Sequence, residues 1–146
     1  MRPMSDSATL RNVEVMLIAA IVLITAALGF YTWGVFAEHR AGVLRWTHAG
    51  LFALGLACDA SGTWLMGRIA DDGTFVAGGL AGVLTQLMAI TGALALVLMA
   101  GHLAWALGVL LKGSDAARRV FHRASVAVWG IWLLPYVTGM AAAMLV

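Results

Sequence analysis

Charge is scarce in this chain. Of its 146 residues 11% are charged, against about 25% in an ordinary soluble domain, while 62% are hydrophobic and the mean hydropathy is +0.94. So little polar surface excludes a water-soluble globule. The lone cysteine, Cys58, excludes an internal disulfide and, lying within an apolar run, reads as a small packing residue. No C-x-x-C-H occurs, which excludes covalent c-type haem, and no H-E-x-x-H, so no metalloprotease helix supports hydrolysis. Of two prolines one, Pro135, interrupts an apolar run; it frees a carbonyl one turn earlier, near Ile131, and is expected to kink its helix and turn Tyr136 towards the axis.

What is abundant is apolar sequence in long runs. Four stretches, at about 14–36, 44–66, 79–111 and 120–140, each hold enough residues to cross a hydrocarbon core of ~30 Å at ~1.5 Å per helical residue. The expected fold is therefore all-α: a single-domain integral membrane four-helix bundle, up-down-up-down, with short linkers making successive helices antiparallel neighbours. The third run exceeds one bilayer, so it tilts, projects, or is helical only from about Val83. The polar segment 1–12 precedes a run long enough to span and lacking a cleavage site, so the first helix is expected to be retained. Gly50, Gly55, Gly62, Gly92, Gly101, Gly108, Gly130 and Gly139 lie inside the spans, where small residues allow close helix approach.

Basic residues fix an expected orientation. The end carrying the 37–43 and 112–119 connections holds Arg40, Arg45, Lys112, Arg118, Arg119 and Arg123, against Arg2, Arg11 and Arg68 opposite. Six against three puts the first end in the cytoplasm of a bacterial inner membrane and both termini outside, or periplasmic. The net charge of +2 thus reports topology, and no nucleic-acid partner is expected. The partners implied are the lipid bilayer and a redox partner or larger membrane complex; homo-oligomerisation stays open.

All four histidines, His39, His48, His102 and His122, fall towards that basic end. Counted inward, His122 lies about two residues deep, His48 about four and His102 about nine, a spread of roughly 10 Å. Helical periodicity places Tyr31 with Glu38 on one face of the first span, His48 with Asp59 on the second, and His122 with Trp129 and Tyr136 on the fourth. Asp59 is the deep acid; its charge at a helix centre costs ~2.5–3.5 kcal/mol on insertion scales, so it is offset or protonated. Thr63, Gln86 and Tyr136 lie at a similar depth, although Gln86 projects away from the His102 face.

Two chemistries use such a constellation. Haem b needs imidazole ligands and cations for its propionates, supplied by two of His48, His102 and His122 with Arg45, Arg118, Arg119 and Arg123, while Tyr31, Glu38 and Trp129 orient and wall the group. A redox or haem-handling module results, with Asp59 and Tyr136 as a proton-relay extension. The rival is a Zn or Fe ion on His48, His102, His122 and Glu38, catalytic or structural. Plainer roles stand beside both. Each histidine also reads as an interfacial hydrogen-bonding residue, most of all His39 in its connection, and Asp59 as an interhelical hydrogen-bond partner. Trp33, Trp46, Trp64 and Trp105 read as interface anchors, and Trp129 and Trp132 as core packing. A third reading follows: a non-enzymatic accessory or assembly subunit whose polar residues only lock helices.

The segments F-Y-T-W-G-V-F-A-E-H at 30–39, W-T-H at 46–48, C-D-A-S-G-T-W-L-M at 58–66, G-H-L-A-W-A at 101–106, F-H-R-A-S at 121–125 and W-G-I-W-L-L-P-Y-V-T-G-M at 129–140 are similar to the HsmA-like small bacterial membrane proteins. The similarity runs from about residue 14 to the end and takes in Glu38, His48, Asp59, His102, His122, Pro135 and Tyr136. It implies a four-span inner-membrane protein and carries no established activity.

Overall fold

A computed structural model describes residues 5–71 and 80–145 of the chain, and these form four long helices: α1 Ser5–Ala41, α2 Trp46–Asp71, α3 Leu80–Lys112 and α4 Asp115–Leu145. All four are long and apolar enough to cross a membrane. The protein is an all-α, multi-pass membrane bundle. Its helices outrun the apolar stretches, α1 beginning at Ser5 rather than near residue 14, because helical hydrogen bonding continues into the polar flanks. The expected start of the third stretch, at 79, and most of the 67–78 connection lie outside the described residues. α4 continues through Pro135 as one helix, with the Thr138 hydroxyl donating to the carbonyls of Leu134 and Pro135.

The exterior is apolar. Val97 is 70% exposed, and Ile18, Val22, Leu94, Leu111 and Leu134 are exposed with it, as a lipid-facing surface requires. Neighbouring helices pack in the ring α1–α2–α3–α4–α1, with α1 and α2 the most closely apposed pair and α1 and α4 the least. Glycine explains the tight pair at three positions. A Cβ on Gly34 would stand 2.7 Å from the Phe52 ring, on Gly55 2.5 Å from Tyr31, and on Gly62 2.5 Å from Ile24. Gly50, Gly92, Gly101, Gly108 and Gly130 have open space above them and do no such packing.

The connections at the histidine end are short and hydrogen-bonded. Gly42 takes a left-handed conformation (φ 63°) and its N–H bonds the Glu38 carbonyl at 3.0 Å, closing α1. This puts His39 in the last helical turn rather than in a loop. Only residues 113 and 114 join α3 to α4, and Ser114 caps α4 by accepting the Ala117 N–H at 3.3 Å.

Candidate functional site

Polar side chains inside the bundle are joined across helices, and α4 takes part in nearly every bond. Glu38 on α1 is fully buried, and its Oε1 lies 2.9 Å from Nδ1 of His122, which keeps 25% of its side chain exposed. With Glu38 as the carboxylate and His122 neutral, Nδ1 donates this bond and the lone pair of His122 is on Nε2. Glu38 Oε2 is buried without a partner among the described residues. The His39 ring stacks on His122, centroids 4.6 Å apart and planes 7° from parallel. One turn and more deeper along the same seam, Trp129 Nε1 donates to Thr32 Oγ1 at 3.1 Å and the indole meets Phe36 edge-on.

The other two histidines have different tasks. His48, at the third residue of α2, accepts the Arg45 N–H on Nδ1 at 3.1 Å, as a glutamate or glutamine does in a capping box. With Nδ1 accepting, the proton of a neutral ring is on Nε2, so His48 presents no lone pair to a ligand. His102, 3% exposed, stacks on Phe121 at 4.7 Å and meets Phe52 edge-on at 5.0 Å. Its Nε2 lies 3.3 Å from Ser125 Oγ, and Nδ1 is buried without a partner among the described residues.

The three imidazoles therefore share an end of the bundle but not a seam. His122 turns to α1, His102 faces Ser125 and the phenylalanines, and His48 caps α2 without a ring contact to either. Among the described residues no three His, Cys, Asp or Glu side chains converge on a position for a metal ion. The set His48, His102, His122 and Glu38 is not assembled as one group. The reason is angular: Phe121 and His122 are adjacent, and ~100° between neighbours sends them to different helices.

Haem b meets the same test with a different result. Paired axial imidazoles need a flat slot between them, and Phe52 and Phe121, both fully buried, fill the interior against His102. His122 taken alone does fit: a carboxylate-oriented imidazole with its distal nitrogen free is the usual arrangement of a ligand histidine. Arg119 and Arg123 flank it on α4 and are exposed, as is Arg45, while Arg118 is half-buried with Nε lacking a partner among the described residues.

Deeper in the bundle, Asp59 of α2 is 5% exposed, and its Oδ2 accepts from Trp132 Nε1 at 3.0 Å and from the Tyr31 hydroxyl at 3.4 Å. α2 and α4 are not ring neighbours, so the indole of Trp132 reaches across the centre to make this bond. Tyr31 is fully buried and edge-on to Trp132 at 5.0 Å. Tyr136 is half-buried, stacks on Trp132 at 5.7 Å, and makes no bond to Asp59 among the described residues. Gln86 is exposed and stands apart.

Sequence reasoning places Glu38, His122, Tyr31, Asp59 and Trp132 in the interior but misses the Trp132–Asp59 bond, Ser125, Thr32 and the His39 stack. On α4 it selects the stripe through His122, Trp129 and Tyr136, whereas the most buried side chains are Phe121, Ser125 and Trp132. Trp132 lies one turn before Tyr136, and its buriable N–H opposite a lone deep carboxylate was the available signal. No family model, curated protein or solved structure matches this chain.

Proposed function

We propose that this is an HsmA-like, multi-pass protein of a bacterial inner membrane that handles haem b at its cytoplasmic end, with His122 as the ligand. The observation that carries the reading is the Glu38–His122 pair: a fully buried carboxyl group, 2.9 Å from Nδ1, fixes a partly exposed imidazole by one ring nitrogen and leaves Nε2 for a ligand. Arg119 and Arg123 offer cations to propionates within a turn of it. A single anchored imidazole on an accessible seam suits transient carriage better than a sealed two-histidine electron-transfer centre. Bound haem supplies iron-centred one-electron chemistry; the chain holds the imidazole, sets its tautomer and meets the carboxylates. Six basic residues at this end, against three opposite, support its cytoplasmic placement and external termini. A redox or haem-accepting partner would meet the protein there.

The test is a reduced-minus-oxidised absorption spectrum of the full chain purified after expression with excess haem. A Soret band lost in His122→Ala but kept in His102→Ala and His48→Gln is the expected result. Retention unchanged in His122→Ala refutes the assignment.

A second reading has its own support. The bonds His122–Glu38, Trp129–Thr32, Trp132–Asp59 and Ser125–His102 tie α4 to each of the other helices, as in an accessory subunit whose polar residues only lock the bundle. Colourless, metal-free protein in which Glu38 and His122 substitutions change stability alone decides for it.

A further inference from the structure

Two grooves of nearly equal size, about 590 and 570 Å³, flank Trp33 on the surface of α1, the first lined by α1 alone and the second shared with α2. Trp33 and Ala37 line both and form the ridge between them. The first runs up α1 past Leu28, Gly29 and Phe36 to Arg40, and the second lies over α2 against Gly50, Leu51 and Leu54 and reaches Thr47. Each has a glycine in its lining, Gly29 in one and Gly50 in the other, and an added Cβ on either would meet nothing within 4 Å. The first ends at Arg40 and the second at Thr47 and His48, all towards the basic end of the bundle.

Trp33 is 66% exposed, and its indole divides the surface into two channels. The first channel spans residues 25 to 40, about 22 Å of helix, which covers one leaflet of a ~30 Å core with room for a glycerol backbone. Arg40 is exposed at its mouth, and the sole ion pair among the described residues is Glu38–His122, so no acid within them neutralises this guanidinium. Arg45, also exposed, follows in the connection.

We infer that the Trp33 face of α1, with the adjoining surface of α2, is a binding site for one anionic diacyl glycerophospholipid, whose two acyl chains straddle the Trp33–Ala37 ridge and whose phosphate pairs with Arg40. Twin apolar channels match two chains, and Arg40 at the mouth of the first matches one negative head. Thr32 and Phe36 of the first channel also meet Trp129, but Glu38 and His122 line neither channel, and the site does not rest on the haem reading. Because it faces lipid, it is filled during insertion, and the glycines keep both channels deep enough for chains to lie against the helices.

The experiment is native mass spectrometry of the full chain in detergent, titrated with dioleoyl phosphatidylglycerol, dioleoyl phosphatidylcholine, a monoacyl phosphatidylglycerol and glycerol 1-phosphate. The diacyl anionic lipid is expected to be retained at one per chain and preferred over the zwitterionic one by about fivefold, the effect of one basic residue near a lipid surface. Arg40→Gln should erase that preference. Gly29→Leu and Gly50→Leu should each weaken retention while helix content and thermal stability hold or rise, since neither side chain meets protein. Equal retention of both diacyl lipids, or retention of the monoacyl lipid unaffected by Gly50→Leu, overturns the proposal. So does competition by glycerol 1-phosphate, which would mark a phosphate site without chain recognition.

Discussion

Removing the indole N–H of Trp132 tests whether the centre of the bundle is held by the bond to Asp59. The Trp132 donor is 3.0 Å from Oδ2, within the 2.7–3.2 Å range of a formed N–H···O bond, whereas the Tyr31 hydroxyl at 3.4 Å exceeds the 2.5–3.0 Å of an O–H···O bond. Interhelical hydrogen bonds in membrane proteins average ~0.6 kcal/mol with a maximum of ~1.7, and a buried acceptor left short costs ~1–3 kcal/mol. Trp132→Phe should therefore destabilise the fold by about 2 kcal/mol, since Asp59 is then left with its weaker donor. Tyr31→Phe conserves volume at a fully buried site and should cost no more than ~0.6 kcal/mol. A double-mutant cycle against Asp59→Leu removes packing effects common to both backgrounds, and should give ~1 kcal/mol of coupling for Trp132 and close to none for Tyr31. Reversible unfolding in mixed detergent–dodecyl sulfate micelles reads these values. A larger penalty for Tyr31→Phe, or stronger coupling of Tyr31 than of Trp132, refutes the reasoning.

Other outcomes follow from the same geometry. Gly55→Ala and Gly62→Ala each force a Cβ to 2.5 Å from a neighbouring side chain and should cost ~1–3 kcal/mol, whereas Gly50→Ala, with open space, should gain up to ~1 kcal/mol of helix propensity; unfolding midpoints in the same micelles decide. Glu38→Ala should lower haem affinity ~10–100-fold by releasing the His122 ring, measured by titration of the Soret band. His48→Gln should keep the cap on Arg45 N–H while His48→Ala loses ~1 kcal/mol, a difference visible in unfolding and absent from haem titration. Ser114→Ala should cost ~0.5–2 kcal/mol by opening the α4 cap.

Hydropathy alone carried the architecture because a bilayer demands long apolar helices and permits little else. Depth was also legible: Glu38 and His122 count to the same end, and the structure pairs them. Azimuth was not. A one-residue step rotates a face by ~100°, so buried Phe121 was passed over for its neighbour His122, whereas Trp132 standing opposite Asp59 in place of Tyr136 is a slip of one turn, ~6 Å, along nearly the same face. The same gap explains the glycines, since sequence shows that Gly50 and Gly55 are small but not that only Gly55 faces α1. His48 illustrates a different limit. A histidine three residues after the N-cap looks like a ligand until the Arg45 N–H is seen to occupy its Nδ1, and that contact depends on where the helix starts.

The hub position of α4 has a consequence for biogenesis. It follows the other three described helices in the chain, and until it enters the bilayer Asp59 lacks its indole, Glu38 its imidazole and His102 its hydroxyl. A three-span intermediate thus leaves Glu38 without its imidazole and Asp59 with only the Tyr31 hydroxyl, the kind of polar defect that insertion machinery and membrane proteases recognise. Entry of α4 closes these gaps within one step, so an intact α4 is what distinguishes the four-helix bundle from its three-span intermediate.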